Sequence, residues 1–377
     1  MWARVVDVHH QSPRQIRSPL LDGKPLAPHV KVALSGISDV GSVRTNNEDR
    51  FLIADVTSGR EVEGQALDGH ALSDRGTLLV VSDGMGGAEA GEVASRIVVE
   101  SLREGLFQAP PVVVAEDALR GVVEQVNSEI WDEANSNPKC KGMGATLVAA
   151  WIIGSDALFA HVGDSRGYLL RAGHMRQVTR DQSMVESLVE VGMIERSAAE
   201  SHPQKNVILQ AMGARPEVAV AIERVELRRG DFLLFCSDGL SGKVSQDEMR
   251  DAILTTATLR DACQRLVDLA NSRGGEDNIT VVIAELDGDG LPATGLNERM
   301  TRTLKSLSEF NFKVGAGYAP PPAHPTHTLG SDPVLESPPS PKVYPPPGEP
   351  GTPPTPSVTD PTLNIGTLPS PPKPSDD

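Results

Sequence analysis

Between Val30 and about Leu286, short apolar runs alternate with longer stretches in which apolar residues recur at helical spacing. The short runs include Thr77-Leu78-Leu79-Val80-Val81 and Phe232-Leu233-Leu234-Phe235-Cys236, each ending in turn residues, and they predict buried strands. Ala145 to Ile153, Ala157 to Val162 and Ile279 to Glu285 have the same character, and Val30–Ile37 and Phe51–Ala54 flank a polar loop. Three longer stretches predict amphipathic helices. They carry Val93, Ile97, Val98 and Leu102; Leu119, Val122, Val123, Val126 and Ile130; and Leu259, Cys263, Leu266, Val267 and Ala270. Hairpin-like strands with helices outside them predict an α+β layered domain. Regular β-α-β alternation is absent, which argues against a doubly wound sheet. The polar stretch from Thr57 to Gly76 reads as a surface insertion.

The pattern divides the chain into three parts. Residues 1–29 hold Pro13, Pro19, Pro25 and Pro28 without periodicity and read as a flexible arm. Residues 30–287 form the folded body. Residues 288–377 read as a largely disordered tail, with a helical turn expected between Asn297 and Val314. The last 60 residues hold 20 of the 30 prolines, so they bury too little apolar surface to offset the entropy of ordering. Ser337-Pro338, Ser340-Pro341 and Thr355-Pro356 make the tail a candidate docking segment for a partner, with a solvated spacer as the plainer reading.

Charge and cysteine content narrow the function classes. A formal charge of −16 argues against nucleic acid and anionic membranes as partners. A phosphate substrate remains compatible if cations stand between it and the carboxylates. Cys140, Cys236 and Cys263 are three, widely spaced and without a CxxC, so neither a disulfide framework nor a zinc knuckle is indicated. The chain opens without the apolar run of a signal peptide, and no stretch approaches a membrane span, so the cytoplasm is the expected compartment. A monomer is expected.

The most informative feature is an echo. Leu78-Leu79-Val80-Val81-Ser82-Asp83-Gly84 and Leu233-Leu234-Phe235-Cys236-Ser237-Asp238-Gly239 both run from an apolar strand into Ser-Asp-Gly. An Asp at the end of a buried strand is held on rigid backbone, and the Gly after it lets the chain turn so that a carbonyl can face the same point. Two such corners can make a cation cage, although one alone is better read as an ordinary Asp-Gly turn. Between the first strands, Ser38-Asp39-Val40-Gly41-Ser42-Val43-Arg44-Thr45-Asn46-Asn47-Glu48-Asp49 brings a guanidinium, a natural fork for phosphate, beside a carboxylate pair. Gly274-Gly275-Glu276-Asp277-Asn278-Ile279-Thr280 places Asp277 at the start of a strand. Gly163-Asp164-Ser165-Arg166-Gly167 is a tight turn between two more.

Taken in chain order, with Gly142-Met143-Gly144-Ala145-Thr146 between the Asp83 and Asp164 motifs, these motifs resemble the protein phosphatase 2C (PPM) family from about Val32 to Glu285. The resemblance implies a four-layer α/β/β/α sandwich of two antiparallel sheets. It implies a bacterial-type serine/threonine phosphatase with Mn²⁺ or Mg²⁺, two per site. Asp49, Asp83, Asp238 and Asp277 would be the ligands, with Gly84 through its carbonyl and Glu48 through a water. Asp164 would hold a third, weaker ion, Arg44 would grip the phosphoryl oxygens, and residues 181–213 would form a flap. Phosphorylated proteins would be the substrates, and a cognate Ser/Thr kinase the opposing partner.

Oxygen-only ligands select Mg²⁺ or Mn²⁺ over zinc or copper. Two such ions about 3.5–4 Å apart bridge a water and lower its pKa, so hydroxide can attack phosphorus in line, without a covalent intermediate. The chain departs from the family at Met85, where eukaryotic members often place a histidine, and at Gln182, where a His is often seen. Gly84-Met85-Gly86-Gly87-Ala88 fails as a dinucleotide loop because Glu89 takes the third glycine position. His161 and His202 read as structural. The alternatives are a metal-free pseudophosphatase that acts as a binding module, which would show a substituted ligand aspartate, and a hydrolase of small phosphate esters.

Overall fold

A computed structural model of the chain describes residues 30–61, 67–86, 88–110, 114–199, 202–295, 300 and 304–308. The expected arm (1–29) and the proline-rich stretch from Tyr318 lie outside these residues. The chain forms β1 (Lys31–Asp39), β2 (Asp49–Asp55), β3 (Arg60–Glu61), β4 (Leu67–Ala71) and β5 (Thr77–Met85), then the long helices α1 (Ala88–Gln108) and α2 (Ala115–Ser136). Next come β6 (Gly144–Ala145), β7 (Leu147–Ile153), β8 (Asp156–Val162), β9 (Arg166–Arg171) and β10 (His174–Gln177). Short helices α3 (Met184–Glu190) and α4 (Arg196–Ala199) precede β11 (Ala221–Glu226) and β12 (Asp231–Cys236). After α5 (Asp238–Ser241), α6 (Gln246–Thr255) and α7 (Leu259–Ser272) come β13 (Ile279–Asp287) and β14 (Leu304–Ser308).

Alternation within the strands builds three stacked cores. One sheet has six strands in the order β10-β9-β12-β13-β1-β4; the other has eight, ordered β14-β11-β8-β7-β5-β2-β3 with β6 paired to β5. Their strand pairs are antiparallel. Along β5, Leu78 and Val80 face α1 and α2, whereas Leu79 and Val81 face the other sheet. Along β13, Val282 and Ala284 enter that inter-sheet core, whereas Val281 and Ile283 pack beneath α6 and α7. A strand apolar on both faces is what two flanking layers require. The architecture is therefore the expected α/β/β/α sandwich.

Two regions carry more structure than the pattern predicted. The Thr57–Gly76 insertion supplies β4, which extends the six-stranded sheet by pairing with β1 at Lys31↔Ala71 and Val32↔His70. Past Asp287 the chain stays packed: Leu291 is buried, Arg229 N donates to Pro292 O at 2.9 Å, and β14 pairs with β11. The stretch expected to hold a helical turn thus contributes an edge strand. Among the described residues no helix is long and apolar enough to cross a membrane.

Candidate metal centre

The site lies at one end of the sandwich, where the two sheets end together. On the eight-stranded sheet, Asp49 opens β2 and Asp83 lies near the end of β5, and the register sets them directly opposite each other. On the six-stranded sheet, Asp238 follows β12 and Asp277 precedes β13. The sheets are stitched together here by polar contacts. Ser237 Oγ donates to Asp49 Oδ2 at 2.7 Å and accepts from Thr280 N at 3.0 Å. Glu48 N donates to Asn278 Oδ1 at 2.8 Å, and Asn278 Nδ2 reaches back to the carbonyls of Val40 and Asn46. Asp164 sits in the turn from β8 to β9, which crosses from one sheet to the other.

Close backbone approach at two glycines shapes the centre. A Cβ on Gly91, in α1, would lie 2.8 Å from the Glu48 carboxyl carbon and 2.9 Å from Gly84 O, so those two oxygen groups meet over the same point. A Cβ on Gly239 would lie 2.0 Å from Asn278 O, so only glycine lets the Asp238 corner nest against the Asp277 turn. Gly84 N in turn donates to Glu48 O at 3.1 Å.

The carboxylates strain against each other. Burial pushes Asp49 up to about 7; the Ser237 and Thr280 hydrogen bonds oppose the shift, and nearby Asp238 and Asp277 add to it. Burial and the charges of Asp49, Asp238, Asp164 and Asp277 hold Asp83 well above the usual carboxylate range. Asp164 is pushed up to about 7 by burial, then by Asp238 and Asp181. Burial, then Asp277, raises Asp238. Asp49 is almost fully buried, while Asp83, Asp164 and Asp238 keep some exposure. Glu48 is raised by burial, against the lowering pull of Arg44. So many carboxylates cannot all ionise at neutral pH unless positive charge joins them.

These residues fit divalent cations. Asp49 Oδ1 and Asp238 Oδ1 are buried without a hydrogen-bond partner, a costly state that a hard cation relieves. The donor set is all oxygen. Among the described residues no three His, Cys, Asp or Glu side chains converge as a finished cage. The fit therefore rests on donor chemistry, orphaned oxygens and crowded charge. Arg44 lies on the open rim, where its Nη2 contacts both Asp277 oxygens at 2.9 Å and its Nε donates to Glu276 O at 3.3 Å.

A groove of about 750 Å³ is lined by Asp164, Asp238 and Asp277 together with Lys205 and Lys243. Cysteine chemistry has no place here: all three thiols are buried, and burial pushes Cys236 and Cys263 up to about 12. His161 is buried in the inter-sheet layer with neither ring nitrogen hydrogen-bonded. Of the residues the motifs singled out, Asp83 feels the charges of Asp49, Asp238, Asp164 and Asp277, and Arg44 and Asp277 are the more exposed. Sequence reasoning missed the supporting groups Ser237, Thr280, Asn278 and Thr146. Each lies within a motif already noticed, but its task, holding a neighbouring strand, shows only in three dimensions.

Comparison with known proteins places this geometry. The sequence profile described as Protein phosphatase 2C matches residues 64–280. The serine/threonine phosphatase stp of Listeria monocytogenes is 38% identical over 253 residues, which cover 66% of this chain and 94% of that protein. The crystal structure of the Mycobacterium tuberculosis serine/threonine phosphatase PstP/Ppp superposes with a TM-score of 0.59 at 38% identity, over 68% of this chain and 99% of that one. A catalytic domain of serine/threonine protein phosphatase PstP in complex with two manganese ions matches with a TM-score of 0.57 at 35% identity, over 68% and 99% of the two chains. The sandwich agrees with these matches, and the chain belongs to the protein phosphatase 2C family.

Proposed function

We propose that this chain removes phosphate from phosphoserine and phosphothreonine in proteins, with Asp49, Asp83, Asp238 and Asp277 holding two Mn²⁺ or Mg²⁺ ions. Gly84 contributes its carbonyl and Glu48 acts through a water. The reaction class, metal-dependent protein serine/threonine dephosphorylation, is that of the family, and the named relatives are serine/threonine phosphatases. The observation that carries the ligand assignment is the crowded end of the two sheets, where Asp49 and Asp238 each keep a buried, unpartnered oxygen. Bound there, the ions supply Lewis-acid charge and a water of lowered pKa.

The chain's own residues supply the rest. Ser237, itself held by Thr280 N, orients Asp49 through Oδ2 and leaves Oδ1 without a hydrogen-bond partner. Arg44 stands on the rim and offers its guanidinium to the phosphoryl oxygens as they enter. Asp164 is placed for a third, weaker ion. The named relatives are serine/threonine phosphatases, which favours a protein substrate over a small ester. All four ligand aspartates are present, so a metal-free binding module is disfavoured. A Ser/Thr kinase acting on the same proteins is the expected counterpart, and the catalytic body extends from about 30 to β14.

Turnover of a phosphothreonine peptide and of an aryl phosphate, with Mn²⁺, with Mg²⁺ and after chelation, tests the proposal. Activity is expected with either ion and lost on chelation. Full turnover by chelated protein would refute the ligand assignment.

A further inference from the structure

We infer that Gln182 is a positioning residue that fastens both ends of the 181–213 segment to the turn carrying Asp164, and so sets one wall of the substrate groove. The inference rests on reading that groove as the phosphatase site. Gln182 is buried, at 1% exposure, and ties its own segment to two others at once. Its backbone N donates to Gly163 O at 2.8 Å, and its side-chain Oε1 accepts from Gly163 N at 2.8 Å, so it closes on the turn from both sides. Its backbone O accepts from Leu209 N at 2.7 Å, and Oε1 also accepts from Gln210 Nε2 at 3.0 Å. Nε2 donates to His161 O at 3.4 Å. The entrance of the segment, its exit and the Asp164 turn therefore meet on one side chain.

Neighbouring contacts reinforce the same junction. Ser183 bridges to Ile208, and Met184 N donates to Val207 O at 2.8 Å. Arg166 grips Asp181 through Nε and Nη2, the latter at 2.7 Å. The chain between these fasteners contributes Ser183, Val185, Glu186, Arg196, Lys205 and Asn206 to the groove. On the inner side, Ser165 Oγ lies 2.6 Å from Thr146 Oγ1, which accepts from Asp83 N at 2.9 Å. A displaced Gln182 would thus move the groove wall, while the Ser165–Thr146 contact holds the Asp83 corner in place. An amide that merely filled a core would satisfy itself on one neighbour. Here, replacing it with an apolar group strands one buried donor, Gly163 N, and leaves Gln210 Nε2 held by Ala219 O alone.

Hydrogen exchange on the full chain and kinetics on two variants test this. In the wild type, the amides of Gly163, Gln182, Met184 and Leu209 are expected to exchange with one common opening, slower than amides of 188–199. Gln182→Leu should release the Gly163 amide, which loses its Oε1 acceptor, and raise KM for a phosphothreonine peptide about tenfold, the scale of one lost buried hydrogen bond. Its kcat on an aryl phosphate should stay within about twofold of wild type, because the small substrate does not need the wall. Gln182→His keeps one ring acceptor for Gly163 N and should recover most of the peptide KM. Unchanged peptide KM with unchanged Gly163 exchange in Gln182→Leu would overturn the inference. Should that variant not fold, the wild-type exchange decides: unrelated rates at entrance and exit overturn the clamp. If wild type fails to hydrolyse the peptide with Mn²⁺, the phosphatase reading falls, and the exchange pattern still decides the clamp.

Discussion

Replacing Asp83 with Asn should abolish turnover and yet stabilise the metal-free protein. The ladder sets Asp83 directly opposite Asp49. Cβ atoms of such pairs stand about 4.5–5.5 Å apart. Two like charges about 5 Å apart repel by about 3 kcal/mol at an effective dielectric near 20. Asp83 escapes much of this by holding its proton, since its carboxyl is raised well above 3.8. The sign follows from linkage. An acid raised in the folded state contributes stability that is complete below its unfolded pKa and is lost as pH rises through its folded one. The Asn amide resembles the protonated acid and escapes that loss. In urea unfolding with chelator, the variant should match wild type near pH 4 and exceed it by about 2–3 kcal/mol at pH 8. With Mn²⁺ at about 1,000 times its Kd the ranking should reverse, because wild type alone gains the full binding contribution of about 4.1 kcal/mol. A chelated Asp83→Asn protein less stable than wild type at pH 8 would refute the reasoning: Asp83 would then be satisfied without a cation.

Three further outcomes are expected. Arg44→Ala should raise KM by the equivalent of about 1–3 kcal/mol with a smaller change in kcat, read from steady-state kinetics on a phosphopeptide; an unchanged KM removes Arg44 from the phosphate. His161 is depressed to about 4 by burial, so its contribution is intact above its unfolded pKa near 6.5 and lost as pH falls towards 4. That loss amounts to about 3 kcal/mol, and His161→Leu should flatten this part of the denaturation profile. Truncation after Gly290 removes buried Leu291 and the β14 cover of β11, and should lower stability by about 2–4 kcal/mol, whereas truncation after Lys313 should not.

Strands buried on both faces were the most legible part of the fold, because unbroken apolar runs such as Leu78 to Val81 have few other readings. The three long helices announced themselves by spacing for the same reason: each buries one wide face. β4 and β14 were not legible. Both lie at sheet edges, where one side of the strand has no partner and the composition stays polar. Such strands form because a neighbour offers unpaired backbone, β1 at Val32 and β11 at Arg224, and that offer is made across the fold rather than along the chain.

The site was legible for a different reason. Its aspartates stand at strand ends beside glycines that admit the close approach of another segment, so each leaves a short local signature. Their supporting groups leave none. Ser237 matters because its hydroxyl spans from β12 to Asp49 at the start of β2, 188 residues away in sequence. Gln182 matters because three segments converge on it, although alone it reads only as a departure from the family's usual residue. The two kinds of residue answer to opposite demands. The aspartates crowd charge that the folded chain cannot neutralise by itself, so the native state must hold unfavourable terms in place until cations bind. The uncharged Ser237, Thr280, Asn278 and Thr146 supply the rigidity, and being neutral they add nothing to the repulsion. A frame of carboxylate–arginine pairs in their place would compete with the cations for the same oxygens, as Arg44 already does at Asp277 on the open rim.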